Sequence, residues 1–153
     1  MASLKRSRRD FSLLLPMAIA AQATAQTGAD RVLPSACYSF ENLPAKIDPV
    51  AHTESRQVFR GETHDGFRVA SHMTTLAPGH SPHPPHKHVN EEVLFIREGT
   101  LEFTVNGKSC KIGPGGIAYI HSNEMHGVKN IGDKPAQYFV LELDGQNAGE
   151  RKL

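Results

Sequence analysis

The sequence predicts an all-β fold, a jelly-roll barrel or a closely related sandwich. Three observations carry this expectation. Short apolar runs of strand length recur along the chain at near-regular spacing, each closed by Gly, Pro, Asn or Asp. Leu101, Phe103 and Val105 alternate with Glu102, Thr104 and Asn106, and Ile117, Tyr119 and His121 repeat the alternation, as in strands with one face inward. After residue 30 no stretch sustains an apolar i, i+3, i+4, i+7 pattern between caps, so helix is a minor component.

The elements follow in order. Lys5 to Arg9 form a positive region, Leu13 to Ala21 a short apolar run, and Ala21-Gln22-Ala23 and Ala23-Thr24-Ala25 offer small-residue cleavage sites, so residues 1–25 read as an export signal. The run is interrupted by Pro16 and falls well short of the ~20 residues a bilayer requires, which argues against a retained membrane anchor. Ser7-Arg8-Arg9-Asp10-Phe11 resembles the twin-arginine motif, which directs folded proteins out of the cytoplasm and implies a periplasmic or otherwise exported destination. Residues 26–36 are expected to form a flexible arm, 37–145 the barrel and 146–153 a tail. Within the barrel, strands are expected at Cys37 to Leu43, Ser55 to Arg60, Phe67 to Leu76, Glu92 to Glu98, Leu101 to Val105, Ser109 to Ile112, Ile117 to His121, His126 to Lys129 and Ala136 to Leu143. Asn106-Gly107 is the strongest hairpin signal, because both residues tolerate positive φ. Phe95, Phe103, Tyr138, Phe139 and Leu141 read as barrel core or sheet packing.

Composition narrows the partners. The 153 residues carry 17 Lys and Arg against 16 Asp and Glu; removing Lys5, Arg6, Arg8, Arg9 and Asp10 leaves 13 against 15. Such a mildly acidic body, with no basic stripe and no Trp, gives no electrostatic footprint for nucleic acid. Cys37 and Cys110 lie more than seventy residues apart; an exported location permits a bridge, but two buried small apolar residues are the favoured reading.

Chemistry concentrates between Gly79 and Gly99. His86 and His88 stand two apart, so an extended backbone projects both imidazoles to one side, and Glu92 adds a carboxylate at the start of the next apolar run. Imidazole with carboxylate suits borderline divalent ions such as Fe, Mn, Co, Ni, Cu and Zn. Glu91 falls on the opposite strand face and reads as a solvated charge. His80 and His83 sit among Pro82, Pro84 and Pro85 and read as surface histidines, while His72 and His121 could line a cavity. Asn130 reads as a turn stabiliser ahead of Ile131-Gly132-Asp133.

This stretch resembles the first conserved motif of the cupin family. His86-Lys87-His88 matches its His-x-His, Glu92 its Glu and Gly99 its closing Gly; six residues lie between Gly79 and His86 where five is usual. The second motif is matched by Gly113-Pro114-Gly115-Gly116, the apolar run at 117–120, and His126 with Asn130 four residues on. The resemblance implies a double-stranded β-helix barrel and makes His126 the fourth ligand beside His86, His88 and Glu92. It also implies a small-molecule substrate or ligand, most often with dioxygenase chemistry, although isomerases, hydrolases, lyases and non-catalytic binding modules share the scaffold. His121 and Tyr119 would then serve as acid or base. The export motif favours Mn or Fe(II), since nitrogen and oxygen sites prefer Cu or Zn and weaker binders must be loaded before export; Zn, Ni, Co and Cu stay open. Small cupins commonly pair, so a homodimer is expected, with Cys37 to Leu43 covering a sheet edge.

Overall fold

A computed structural model describes residues 32–144. The expected export signal, most of the arm and the tail lie outside the described residues. Nine strands occur: β1 (Ala45–Asp48), β2 (Thr53–Glu62), β3 (Arg68–Leu76), β4 (Glu91–Glu98), β5 (Leu101–Val105), β6 (Lys108–Ile112), β7 (Ile117–Ile120), β8 (His126–Asn130) and β9 (Ala136–Leu143). They form a six-stranded sheet in the order β1-β2-β3-β9-β4-β7 and a three-stranded sheet in the order β6-β5-β8, with antiparallel pairing throughout. The all-β jelly roll expected from the alternation is the fold observed.

Burial follows the strand period. In β5, Leu101 and Phe103 point inward; in β9, Ala136, Tyr138 and Val140 do so. Leu94 and Ile96 of β4 and Val128 of β8 meet them between the sheets, joined by Leu76 and Ile120. Burying a side chain such as Phe103 stabilises by about 2–3 kcal/mol, and this one cluster binds the two sheets together. Phe95, expected in the packing, lies half-exposed on the outer face of the large sheet.

Turn chemistry fixes the hairpins. Asn106 and Gly107 both take positive φ, 48° and 79°, and join β5 to β6 as expected. Gly99 turns β4 into β5 at φ +83°, where an added Cβ would come within 2.6 Å of Ala136 Cα, so both the dihedral and the close approach require glycine. Asn130 is fully buried: its amide donates to Leu76 O at 2.9 Å and Lys134 O at 2.8 Å and its oxygen accepts from Gly132 N at 3.0 Å, the turn-stabilising role read from the sequence.

Two expectations are corrected. Cys37 to Leu43 does not form a strand: it contains a short 3₁₀ turn at Phe40–Asn42, and the first strand is β1. Arg56 explains the change, donating to Leu43 O and, at 3.3 Å, to Phe40 O while its guanidinium lies 4.5 Å from the Phe40 ring centroid. The segment thus rests against its own chain. Cys37 and Cys110 are free and exposed rather than buried.

Candidate metal centre

Backbone pairing builds the centre. The His86 amide donates to His126 O at 2.9 Å and the His126 amide returns the bond to His86 O at 2.8 Å, so the approach loop is stitched to the first residue of β8. This isolated bridge sets the two rings with centroids 4.6 Å apart. Two residues on, the Asn123 amide donates to His88 O at 2.7 Å, and the His88 ring lies 5.1 Å from His86 and 4.9 Å from His126. Glu92 projects inward from β4, its Oε1 3.1 Å from His88 Nε2 and its Oε2 3.8 Å from His126 Nε2. The four residues singled out in the sequence are brought together.

Tautomers are assigned by the outer nitrogens. His88 Nδ1 lies 3.0 Å from Asn90 O and His126 Nδ1 lies 2.9 Å from Glu124 O. A carbonyl only accepts, so each Nδ1 carries the proton and each Nε2 turns a lone pair toward the cluster. His86 Nδ1 and His126 Nε2 are buried with no hydrogen-bond partner. Leaving two such atoms unsatisfied costs about 1–3 kcal/mol each, a cost that a cation bound by these rings would offset. Burial first, then the neighbouring His83, His126 and His88, push the His86 pKa down to about 4, so the ring is neutral at physiological pH, as a ligand must be.

Ligand atoms of His86, His88 and His126 lie within 4.8 Å of one another, so these three histidines could hold a metal ion. Bonds of about 2.1 Å to a shared ion span at most about 4.2 Å between ligands, so adjustments below an ångström close the set.

Glu92 and His126 open onto a cavity of about 330 Å³, at the lower end of the ~300–1,000 Å³ typical of ligand pockets. Leu94, Phe103 and Val140 form its apolar wall. His72 lines it too, with Nδ1 3.4 Å from Glu142 Oε1. Hydrogen bonding from His72 is the largest influence on Glu142 and holds its carboxyl below the usual range, against the opposing effect of burial.

Tyr119 and His121 are not brought to this centre. In β7 the inward residue is Ile120, 1% exposed and paired with Glu92, whereas Ile117 and Tyr119 are 63% and 57% exposed. The expected alternation is present, in the opposite phase. Tyr119 bonds Glu91 on the outer face, and His121 Nδ1 lies 2.9 Å from Ser122 O, exposed to solvent. Glu91 does lie opposite Glu92, as expected. His80 stacks on His52 at 4.0 Å, and His83, exposed, sits edge-on to His86 at 4.2 Å along the cavity wall.

Ser55, Thr74 and Tyr138 also face the cavity; the sequence singles out neither Ser55 nor Thr74 and points to Tyr138 only as packing. Tyr138 carried a signal, a phenol within an alternating apolar strand, but only strand order shows what it faces.

Comparison with known proteins agrees with this architecture. Residues 72–142 match the cupin domain family. Over 63 residues the chain is 33% identical to the L-ectoine synthases of Bordetella parapertussis and Bordetella bronchiseptica, covering 40% of this chain and 48% of each of those, so it spans about half the length of the curated relatives it matches. Among solved structures, KdgF from Halomonas sp. superposes with a TM-score of 0.62 at 14% identity, over 76% of this chain and 99% of that one. A protein named as a predicted oxalate decarboxylase from Thermotoga maritima gives 0.58 at 22% identity, over 71% of this chain and 98% of its own. The described barrel therefore has the cupin fold, and residues 72–142 carry the sequence signature of the cupin domain.

Proposed function

We propose that this chain is an exported, metal-dependent enzyme that converts a small organic molecule, with dioxygenase chemistry the first class to test. The observation behind the metal dependence is the pair of buried imidazole nitrogens without a hydrogen-bond partner, His86 Nδ1 and His126 Nε2, in the cluster that also contains His88 and Glu92. A divalent ion held by these four residues supplies Lewis acidity and, if it is Fe or Mn, redox capacity toward O₂. Protein groups do the rest. Asn90 O and Glu124 O fix the ligand rings, and the apolar wall limits water around the substrate. His72, held at Nδ1 by Glu142, presents Nε2 as a proton donor or acceptor in place of Tyr119 and His121.

A non-redox reaction, as in an isomerase, hydrolase or lyase, is the second reading. It is favoured by the His72–Glu142 pair, which suits proton transfer without O₂, and by the synthase and decarboxylase named among the similar proteins. Turnover of candidate substrates under air and under nitrogen separates the readings: O₂-dependent loss supports the dioxygenase, O₂-independent conversion the second class, and tight binding without conversion a binding module.

Mn or Fe(II) is the proposed ion, because a twin-arginine-like signal would let the protein fold around a weakly competing metal before export. Stoichiometric Zn or Cu in protein recovered from the periplasm under metal-replete growth would count against it. A homodimer is proposed on the half-exposed apolar residues Phe95, Ile117 and Tyr119 of the large sheet, and sedimentation as a monomer at micromolar concentration would overturn it.

A further inference from the structure

The inner face of the six-stranded sheet carries a row of polar groups that core packing does not call for. Lys46 of β1 pairs across the strands with Ser55 of β2, Ser55 with Thr74 of β3, and Thr74 with Tyr138 of β9. Directly opposed residues share a face, and all four line the cavity that also holds Glu92 and His126. Thr74 and Tyr138 are buried, where a polar group needs a partner, Ser55 is partly buried and Lys46 is exposed on β1, so the row runs in register from solvent to the interior.

The two ends of the row differ. At the inner end Tyr138 and Thr74 hydrogen-bond each other, and burial pushes the Tyr138 pKa upward, so the phenol remains neutral. At the outer end neither the Lys46 ammonium nor the Ser55 hydroxyl makes a side-chain hydrogen bond or ion pair with another described residue. The nearest acid along the strand, Asp48, is occupied: its Oδ1 accepts from the amides of Val50 at 2.9 Å and Ala51 at 3.0 Å, although it still feels the Lys46 charge. Glu92, the other acid lining the cavity, is turned to the imidazoles. An ammonium and a hydroxyl at a cavity wall, neither hydrogen-bonded to nor ion-paired with a neighbouring carboxylate, suit an anion.

We infer that this row is a subsite for an oxyanion on the substrate, a carboxylate or a phosphate, bound by the Lys46 ammonium and the Ser55 hydroxyl while the reacting end faces the metal centre. Only the placement of the reacting end rests on the proposed metal function; the row stands without it. Lys46 is a specificity residue in this scheme, and the ligand class is a small molecule with an acidic tail.

Isothermal titration tests this with glutarate, its neutral diamide and 4-phosphonobutyrate, added to the protein as isolated and after chelation, with metal content measured on each sample. Glutarate should bind at least about tenfold more tightly than the diamide, Lys46→Met should remove most of that difference, and Lys46→Arg should restore it to within about threefold. Tighter binding of the phosphonate would mark the subsite as phosphate-directed, and tighter binding of glutarate as carboxylate-directed. Equal binding of diacid and diamide, or unchanged glutarate affinity in Lys46→Met, would overturn the subsite. Protein isolated without stoichiometric metal yet binding glutarate through Lys46 counts against the metal centre alone; stoichiometric metal with binding indifferent to Lys46 rejects the subsite alone.

Discussion

His126 has the most constrained position in the cluster: it is 5% exposed, its Nδ1 proton is held by Glu124 O, and its Nε2 has no protein hydrogen-bond partner. Replacing His126 or His88 by Ala should abolish stoichiometric metal in elemental analysis while far-UV circular dichroism retains the strand signal. Full occupancy in either variant rejects the ligand assignment. Asn130 is equally buried but structural. Asn130→Ala removes three hydrogen bonds and strands Leu76 O and Lys134 O, so urea unfolding should show a loss of about 2–3 kcal/mol. At this scale the sequence was highly legible. The spacing of His86, His88 and Glu92 along one extended stretch already implied convergence, and Asn130 stands four positions after His126 as in the second motif. His72 was harder to place because its value depends on Glu142, seventy residues away and reachable only through strand pairing.

Period-two alternation fixes which residues share a strand face, but the neighbouring strands decide which face is inside. In β7 and the residue after it, the set Ile117, Tyr119, His121 alternates as cleanly as Ala118, Ile120, and the pairing of Ile120 with Glu92 selects the second set. Tyr119→Phe and His121→Ala should therefore leave metal content unchanged; a loss of more than half the bound metal in either would return these side chains to the centre. The segment 37–43 failed for a different reason. Its aromatic and apolar residues have strand propensity, but Arg56 captures its carbonyls and its Phe40 ring, a tertiary contact with no local signature. The Asn106-Gly107 hairpin succeeded because its positive φ values are a local steric matter.

For the whole molecule, the class and eight of the nine strands were legible, β1 being missed, whereas the order was not: β9 lies between β3 and β4, a long-range pairing that no window of sequence contains. That insertion brings Glu142 opposite Glu92 and Tyr138 opposite Thr74, so the cavity exists only once the last strand is in place. Protons act on the same assembly. With metal stripped, His86 has a folded pKa of about 4 against an ordinary 6.5, so between these values the unfolded chain binds the extra proton. Stability from this residue is complete above pH 6.5 and is lost as pH falls toward 4. Thermal melting of chelated protein should show a midpoint that declines across that window, with a flatter decline in His86→Gln; identical profiles would remove His86 as the cause.

The reciprocal amide bonds between His86 and His126 have one more effect. They fasten the proline-rich approach to the barrel through main chain alone, independent of whatever the imidazoles grip. With an ion bound at the proposed centre, a chelator would empty the grip without letting the fingers spread, and ion exchange would be a local event rather than an unfolding one. Depletion followed by reloading should recover the original occupancy with no denaturant step, unlike small domains that fold only around their ion.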